Sequence, residues 1–229
     1  MDEQKDKARE RTKEIAAEFS ERGDALGWFD ALYSESAGDT TKIPWADLEP
    51  NRYLKAWAEK NRLRGSGRTA LVVGCGLGDD ARFLHDLGFK VTAFDISPTA
   101  IDWARKLHKD TDIQFAASDL FDPPAGWIGA FEFVLEVYTI QPLPIEIRPK
   151  VIDSIAAFVA DGGKLLVVTR GREDDEAPAE LPWPLSRADL SRFEQNGLIE
   201  TDFVQMPGDE DVPAERFVVE YERPRAVAV

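Results

Sequence analysis

Cysteine and histidine are nearly missing from this sequence: its 229 residues include one Cys and two His. A single cysteine excludes an intrachain disulfide and fits a reducing compartment. The histidines, His85 and His108, fall on predicted helices without the Cys or His spacing of a metal site, so no metal is expected. Basic residues are also in short supply, 28 Lys and Arg against 43 Asp and Glu, for a formal net charge of −15. Nucleic acids and anionic membrane surfaces need clustered cations, so neither is an expected partner. The acidity serves solubility. No apolar run approaches a membrane span, and the first residues are too charged for a signal peptide. The expectation is a cytoplasmic protein. An apolar content of 43% and a charged content of 31% describe one globular domain with a sizeable core.

What the chain does have is Thr69-Ala-Leu-Val-Val-Gly-Cys-Gly-Leu-Gly-Asp-Asp80, followed by the apolar run Phe89-Lys-Val-Thr-Ala-Phe94 and then Asp95. A β-branched run that breaks into three alternate glycines predicts a buried strand turning sharply into a helix. Glycine there permits φ > 0 and lets a ligand approach the backbone. An acid at the end of the second strand is placed to accept hydrogen bonds from a ribose diol. The unit is a nucleoside-binding βαβ. The dinucleotide pattern G-x-G-x-x-G holds a pyrophosphate at the helix N-terminus. Here Asp79 replaces its third glycine and Asp80 follows, and two carboxylates would repel a pyrophosphate. A cationic, phosphate-free ligand fits better, and S-adenosylmethionine (SAM) is one.

From residue 69 onward, short apolar runs alternate with amphipathic ones. Strands are predicted near 69–74, 89–94, 112–117, 131–137 and 163–170, and helices near 79–87, 98–108 and 145–160. That alternation predicts a parallel, Rossmann-like doubly wound α/β sheet with right-handed crossovers. Asp161-Gly-Gly163 is expected to end the last of these helices. An acidic, proline-rich loop spans 172–184, a helix capped by Ser186 runs to Asn196, and residues 199–206 and 216–221 form a hairpin around 207–211. Before residue 60 a charged helix over the first 22 residues, a short aromatic helix from Leu26 to Tyr33, and a helix at about 50–60 are expected. Residues 1–60 read as a helical lid and 61–229 as the SAM-binding domain.

Gly74, Cys75, Gly76 and Gly78 should carry the backbone past the methionine part of SAM, with Asp79 in the first helical turn. Cys75 reads as a space-filling residue. Asp95 and Ile96 would meet the ribose, unless Asp95 only caps the next helix. Asp119 and Leu120, at the third strand's end, would take the adenine, unless Asp119 only forms an Asx turn toward Pro123 and Pro124. Asp122-Pro-Pro-Ala125 resembles part of the Asp-Pro-Pro-aromatic motif of enzymes that methylate exocyclic amines in nucleic acids, but it follows the third strand instead of the fourth and has Ala125 in place of the aromatic, so it is set aside. Glu136 and Tyr138 end the fourth strand, where ligands of open sheets bind. Glu136 would sit near the SAM ammonium or be solvated at the cleft edge. Tyr138 and Arg148 are the catalytic candidates, against roles in packing and surface charge.

Leu71-Val-Val-Gly-Cys-Gly-Leu-Gly-Asp-Asp80, Val91-Thr-Ala-Phe-Asp-Ile-Ser-Pro-Thr-Ala-Ile101, Ser118-Asp119 and Gly162-Gly-Lys-Leu-Leu166 resemble the class I SAM-dependent methyltransferases. Within them the chain is similar to the bacterial small-molecule group related to thiopurine and other thiol S-methyltransferases. The resemblance covers roughly 45–221. It implies a seven-stranded sheet with the last strand antiparallel, SAM over 74–78, 95–96 and 119–120, S-adenosylhomocysteine (SAH) as product, and a small-molecule acceptor. It also makes Trp28, Tyr33, Ile43 and Trp45 lid candidates and Trp183 a candidate for the opposite wall. Val72 departs from the pattern, since many relatives carry there an acid that orders the ammonium; Glu136, Asp79 or a water would take its place. S-methylation is expected ahead of N- or O-methylation. A nucleotide-dependent oxidoreductase, a SAM-binding protein without turnover and a methyltransferase acting on a basic protein target remain alternatives.

Overall fold

The computed structural model describes residues 2–178, 181–208 and 214–226. Residues 209–211 of the expected hairpin turn and the end of the 223–229 tail lie outside these. The elements are α1 (Asp2–Glu21), α2 (Gly27–Ser36), α3 (Arg52–Lys60), β1 (Thr69–Val73), α4 (Asp79–Asp86), β2 (Lys90–Asp95), α5 (Pro98–Leu107), β3 (Gln114–Ala117), β4 (Phe131–Val137), α6 (Arg148–Ala157), β5 (Val159–Arg170), α7 (Arg187–Leu190), α8 (Arg192–Gln195), β6 (Ile199–Met206) and β7 (Arg216–Glu222). Their order in the sheet is β3-β2-β1-β4-β5-β7-β6. The strands β1 to β5 pair in parallel, and β7 runs antiparallel between β5 and β6. This is the seven-stranded class I methyltransferase sheet with its last strand reversed.

A parallel sheet buries both faces, which is why β1 reads as an unbroken apolar run. Ala70 and Val72 pack on one face with Leu54 and Trp57 of α3, Leu84 of α4 and Ile101 of α5. Leu71 and Val73 pack on the other with Ile152 and Ile155 of α6 and Phe193 of α8. The spacing of Tyr53, Leu54, Trp57 and Ala58 turns one stripe of α3 inward, and Trp57 stacks on Phe133 of β4 at 5.8 Å between centroids. Asn51 caps α3, its side chain accepting from the Tyr53 and Leu54 amides. A third, smaller core joins Ile15 of α1 and Trp28, Leu32 and Tyr33 of α2 to Leu77 and Ala100. This cap of α1, α2 and the following loop sits over the ends of β1 and β2.

Two expectations are corrected. Asp161-Gly-Gly163 does not close α6, which ends at Ala157; it lies inside β5, where the pairing jumps from Phe131↔Val159 to Phe133↔Lys164. Glycine serves a bulge as readily as a helix end, and a Cβ on Gly163 would come within 2.9 Å of the Phe131 carbonyl oxygen. The helix expected over 186–196 breaks at Ser191 into the single turns α7 and α8. Ser186 does cap α7, in a reciprocal pair with Asp189. No helix among the described residues is long and apolar enough to cross a membrane.

Candidate active site

The C-terminal ends of β1, β2, β3 and β4 open on one cavity of about 740 Å³, within the range of small-ligand sites. Its floor begins at the turn after β1, where Gly74, Gly76 and Gly78 have φ of 59°, 51° and 89°. A Cβ on Gly74 would lie 2.5 Å from the Thr139 side chain, whose hydroxyl donates to the Val73 carbonyl at 3.0 Å. Glycine is thus needed there for conformation and for the tie between β1 and the end of β4. Gly74, Cys75, Gly76 and Asp79 line the cavity. Gly78 does not; it packs beneath Phe115 and His108. Burial pushes the Cys75 thiol well up, which suits an inert filler.

Asp95 ends β2 at the cavity edge. One carboxylate oxygen accepts from the Gly76 amide and the other from the Ser97 amide, each at 2.9 Å. Burial pushes its carboxyl up, partly opposed by these amides. Ser97, not Asp95, caps α5, accepting from Ala100 with Pro98 in the first turn. Each Asp95 oxygen keeps a lone pair, so Asp95 holds the glycine turn in place and still offers acceptors to a diol. Ile96, Asp119 and Leu120 also line the cavity. Asp119 accepts from the Phe121 amide at 2.8 Å, so the Asx turn forms alongside whatever Asp119 binds. Asp80 accepts from the Asn51 amide at 2.7 Å, and burial pushes its carboxyl up to about 6.

The cap supplies Trp28, Tyr33 and Trp45 to the cavity wall, with Arg9, Thr12 and Lys13 of α1. Trp28 and Tyr33 are also core, 3% and 1% exposed, so the packing and lining readings hold together. Trp45 Nε1 donates to the Tyr33 hydroxyl at 2.9 Å, and Tyr33 meets Trp103 of α5 edge to face. Ile43 stays inside the cap core and does not line the cavity.

Residues 70–163 match the model of a methyltransferase domain. The chain carries a SAM-dependent methyltransferase domain. Among curated proteins it is 23% identical over 167 residues to a 2-heptyl-1-hydroxyquinolin-4(1H)-one methyltransferase of Mycobacteroides abscessus, covering 71% of this chain and 72% of that one. It is 29% identical over 149 residues to a ubiquinone biosynthesis O-methyltransferase of Xanthomonas axonopodis, covering 63% of this chain and 56% of that one. Among solved structures, the N-methyltransferase NodS of Bradyrhizobium japonicum, in complex with SAH, superposes with a TM-score of 0.65 at 19% identity, over 85% of this chain and 97% of that one.

Three site expectations are corrected against the geometry of the methyltransferase domain. Glu136 neither lines the cavity nor meets solvent. It is 0% exposed, with Oε1 accepting from the Thr139 amide at 2.6 Å and the Ile140 amide at 3.0 Å. Its Oε2 has no hydrogen-bond partner among the described residues, and burial pushes the carboxyl up to about 7. It braces the turn after β4 from below. Arg148 is 2% exposed and outside the cavity, paired with Asp189 at 2.8 Å and donating to the Trp183 carbonyl. It is a tie between α6 and the 172–184 loop, not a catalytic group. Trp183 does not line the cavity, which this loop walls with Leu181, Pro182 and Pro184.

Asp30 carries no local motif that would mark it. Its Oδ1 accepts from the Ser97 hydroxyl at 2.6 Å and the Thr99 amide at 3.0 Å, joining α2 to the start of α5. Burial alone would raise this carboxyl, but the hydrogen bonds outweigh it and hold it below the usual range. Asp30→Ala is expected to loosen the cap by about 1–3 kcal/mol. Hydrogen exchange should then quicken in α1 and α2 while β1, β4 and β5 keep their protection; uniform quickening would contradict this.

Proposed function

We propose that this chain transfers the methyl group of SAM to a small acceptor whose reacting atom is acidic, a thiol first and a phenolic or N-hydroxyl group second. The observation that carries the reading is Asp95: a buried acceptor at the end of β2, fixed against a glycine turn that presents two carboxylates. The residues present fit the donor. The backbone of 74–77 would run beside its methionine part, Asp95 and Ile96 would hold the ribose, and Asp119 and Leu120 the adenine. Asp79 would face the ammonium, since Val72 is core and Glu136 is enclosed. When bound, SAM supplies a methyl on a sulfonium: the acceptor lone pair forms the new bond, the C–S electron pair returns to sulfur, and SAH leaves.

Alignment and exclusion of water carry this chemistry, and proximity alone supplies several kcal/mol. The cap favours a small acceptor, because Trp28, Tyr33 and Trp45 enclose the cavity from the N-terminal side. Neither histidine serves as a base there. His85 pairs with Asp86 and Asp112 outside, and His108 bonds the Leu77 carbonyl beneath the turn. An acceptor that ionises near neutral pH needs no base. That a relative methylates a hydroxyquinolone and another belongs to ubiquinone biosynthesis accords with acidic hydroxyls as the second choice.

Calorimetry with SAH tests the donor site, and mass spectrometry across thiols, phenols, N-hydroxy compounds and amines tests the transfer. SAH binding in the micromolar range with a product gaining one methyl group is expected. A thermal shift with NAD and none with SAH would overturn the reading.

A further inference from the structure

Asp79, Asp80 and Asp95 stand where β1 and β2 end, while Arg170 lines the side of the cavity where β5 ends. Directly opposite Arg170 across the β5–β7 pair stands Arg216.

Arg216 is 5% exposed, and among the described residues no carboxylate pairs with it. The other deeply buried arginine of the domain, Arg148, has Asp189 at 2.8 Å. In a chain with 43 acids and 28 bases, a buried guanidinium with no acid among the described residues is the exception. Such a charge is costly unless an anion answers it. Arg216 is held by the Ala214 and Glu215 carbonyls and donates through Nε to the Tyr138 hydroxyl at 3.1 Å. Tyr138 lines the cavity, and Ala214 lines it beside Arg216.

The backbone at Tyr138 points the same way. Its φ is 57°, a left-handed conformation that bulky side chains rarely adopt. Strain of about 1–3 kcal/mol is tolerated where a side chain must be aimed. Its amide donates to the Val168 carbonyl at 2.9 Å, so the turn is fixed to β5. The hydroxyl oxygen receives the Arg216 N–H, which leaves its own proton free to donate. The groups that face it are Arg216 on β7, Tyr53 on α3 and the side chain of Asn51 at the start of α3, whose backbone amide donates to Asp80.

We propose that the Tyr138 end of the cavity is an anion site for the methyl acceptor: the acceptor binds there as its thiolate or oxyanion, takes the Tyr138 O–H hydrogen bond, and is stabilised by Arg216 behind it. The acceptor gives up its proton to water before transfer, so its lone pair goes to the methyl carbon with no proton left to remove. Tyr138 is then a catalytic residue, and Arg216 a positioning residue acting through it. This rests on the reading of the domain as a working methyltransferase.

The test uses 4-nitrophenol as the probe, added to the full chain saturated with SAH, and reads the phenolate from its visible absorbance as pH is varied. The bound probe is expected to ionise about one pH unit or more below the free probe. Tyr138→Phe should remove most of that shift, Arg216→Met should remove a smaller part of it, and Arg216→Lys should restore some of that part. A probe that does not bind, or that ionises as it does in water, overturns the anion site while SAH binding leaves the methyltransferase reading standing. A shift untouched in Tyr138→Phe and Arg216→Met also overturns it. Failure of SAH to bind at all removes both.

Discussion

Replacing Asp95 with alanine is expected to weaken SAH binding by about a hundredfold. Two ribose hydroxyls donating to a buried carboxylate contribute about 1.5 kcal/mol each at the low end of charged hydrogen bonds, and their loss together gives that ratio. The substitution also releases the Gly76 and Ser97 amides that Asp95 holds at 2.9 Å, so the turn before α4 loses its brace. Asp95→Asn separates the two effects. It keeps the shape and one acceptor oxygen, and its amide group cannot accept from the second backbone N–H. Affinity for SAH should therefore fall by about tenfold in Asp95→Asn, between the parent and Asp95→Ala. Calorimetry with SAH decides: a change of less than a few-fold in Asp95→Ala would place the ribose elsewhere.

Glu136 gives the second large effect, on stability. In the fold its carboxyl is pushed up to about 7 from an ordinary 4.5, because the charge would be enclosed with one oxygen unsatisfied. The folded protein therefore holds this proton more tightly than the unfolded chain does. The resulting stabilisation is full below about pH 4.5 and is lost as pH rises through about 7, a change of about 3 kcal/mol. Glu136→Gln has no proton to lose. Its own stability carries the cost of an amide with no partner, about 1–3 kcal/mol at every pH. Urea denaturation at pH 5 and pH 8 should show the gap between parent and variant moving by about 2.5 kcal/mol in favour of the variant at the higher pH. Asp80, pushed up to about 6, adds a slope of the same sign to both proteins. An unchanged gap would mean that the carboxylate is stabilised within the fold.

The parts of the site that the sequence disclosed are those where one local pattern dictates both conformation and chemistry. The strand–glycine–helix turn and Asp95 belong to adjacent stretches of chain, and their geometry follows from the glycines. Glu136 was misread because β4 is buried on both faces, so alternation along Phe131–Val137 does not reveal whether an acid points to a cleft or into the core. Arg148 and Trp183 were misassigned for a different reason: their partners lie 41 and 35 residues away in sequence, across the α6–α7 packing. Asp30 and Arg216 gave no local signal either, since the contacts that give them meaning reach 67 and 78 residues along the chain. The doubled glycine at 162–163 fits a helix end and a bulge equally well, and only the pairing of β5 with β4 selects the bulge.

The reversed strand has a consequence for how such a chain is made. β6 has no neighbour in the sheet except β7, and β7 is translated after it. Until residue 222 has left the ribosome, β5 presents an open, apolar edge to whatever is nearby. Sheet closure and delivery of Arg216 to the Tyr138 hydroxyl are therefore one event, and a nascent chain stalled ahead of it keeps a sticky edge.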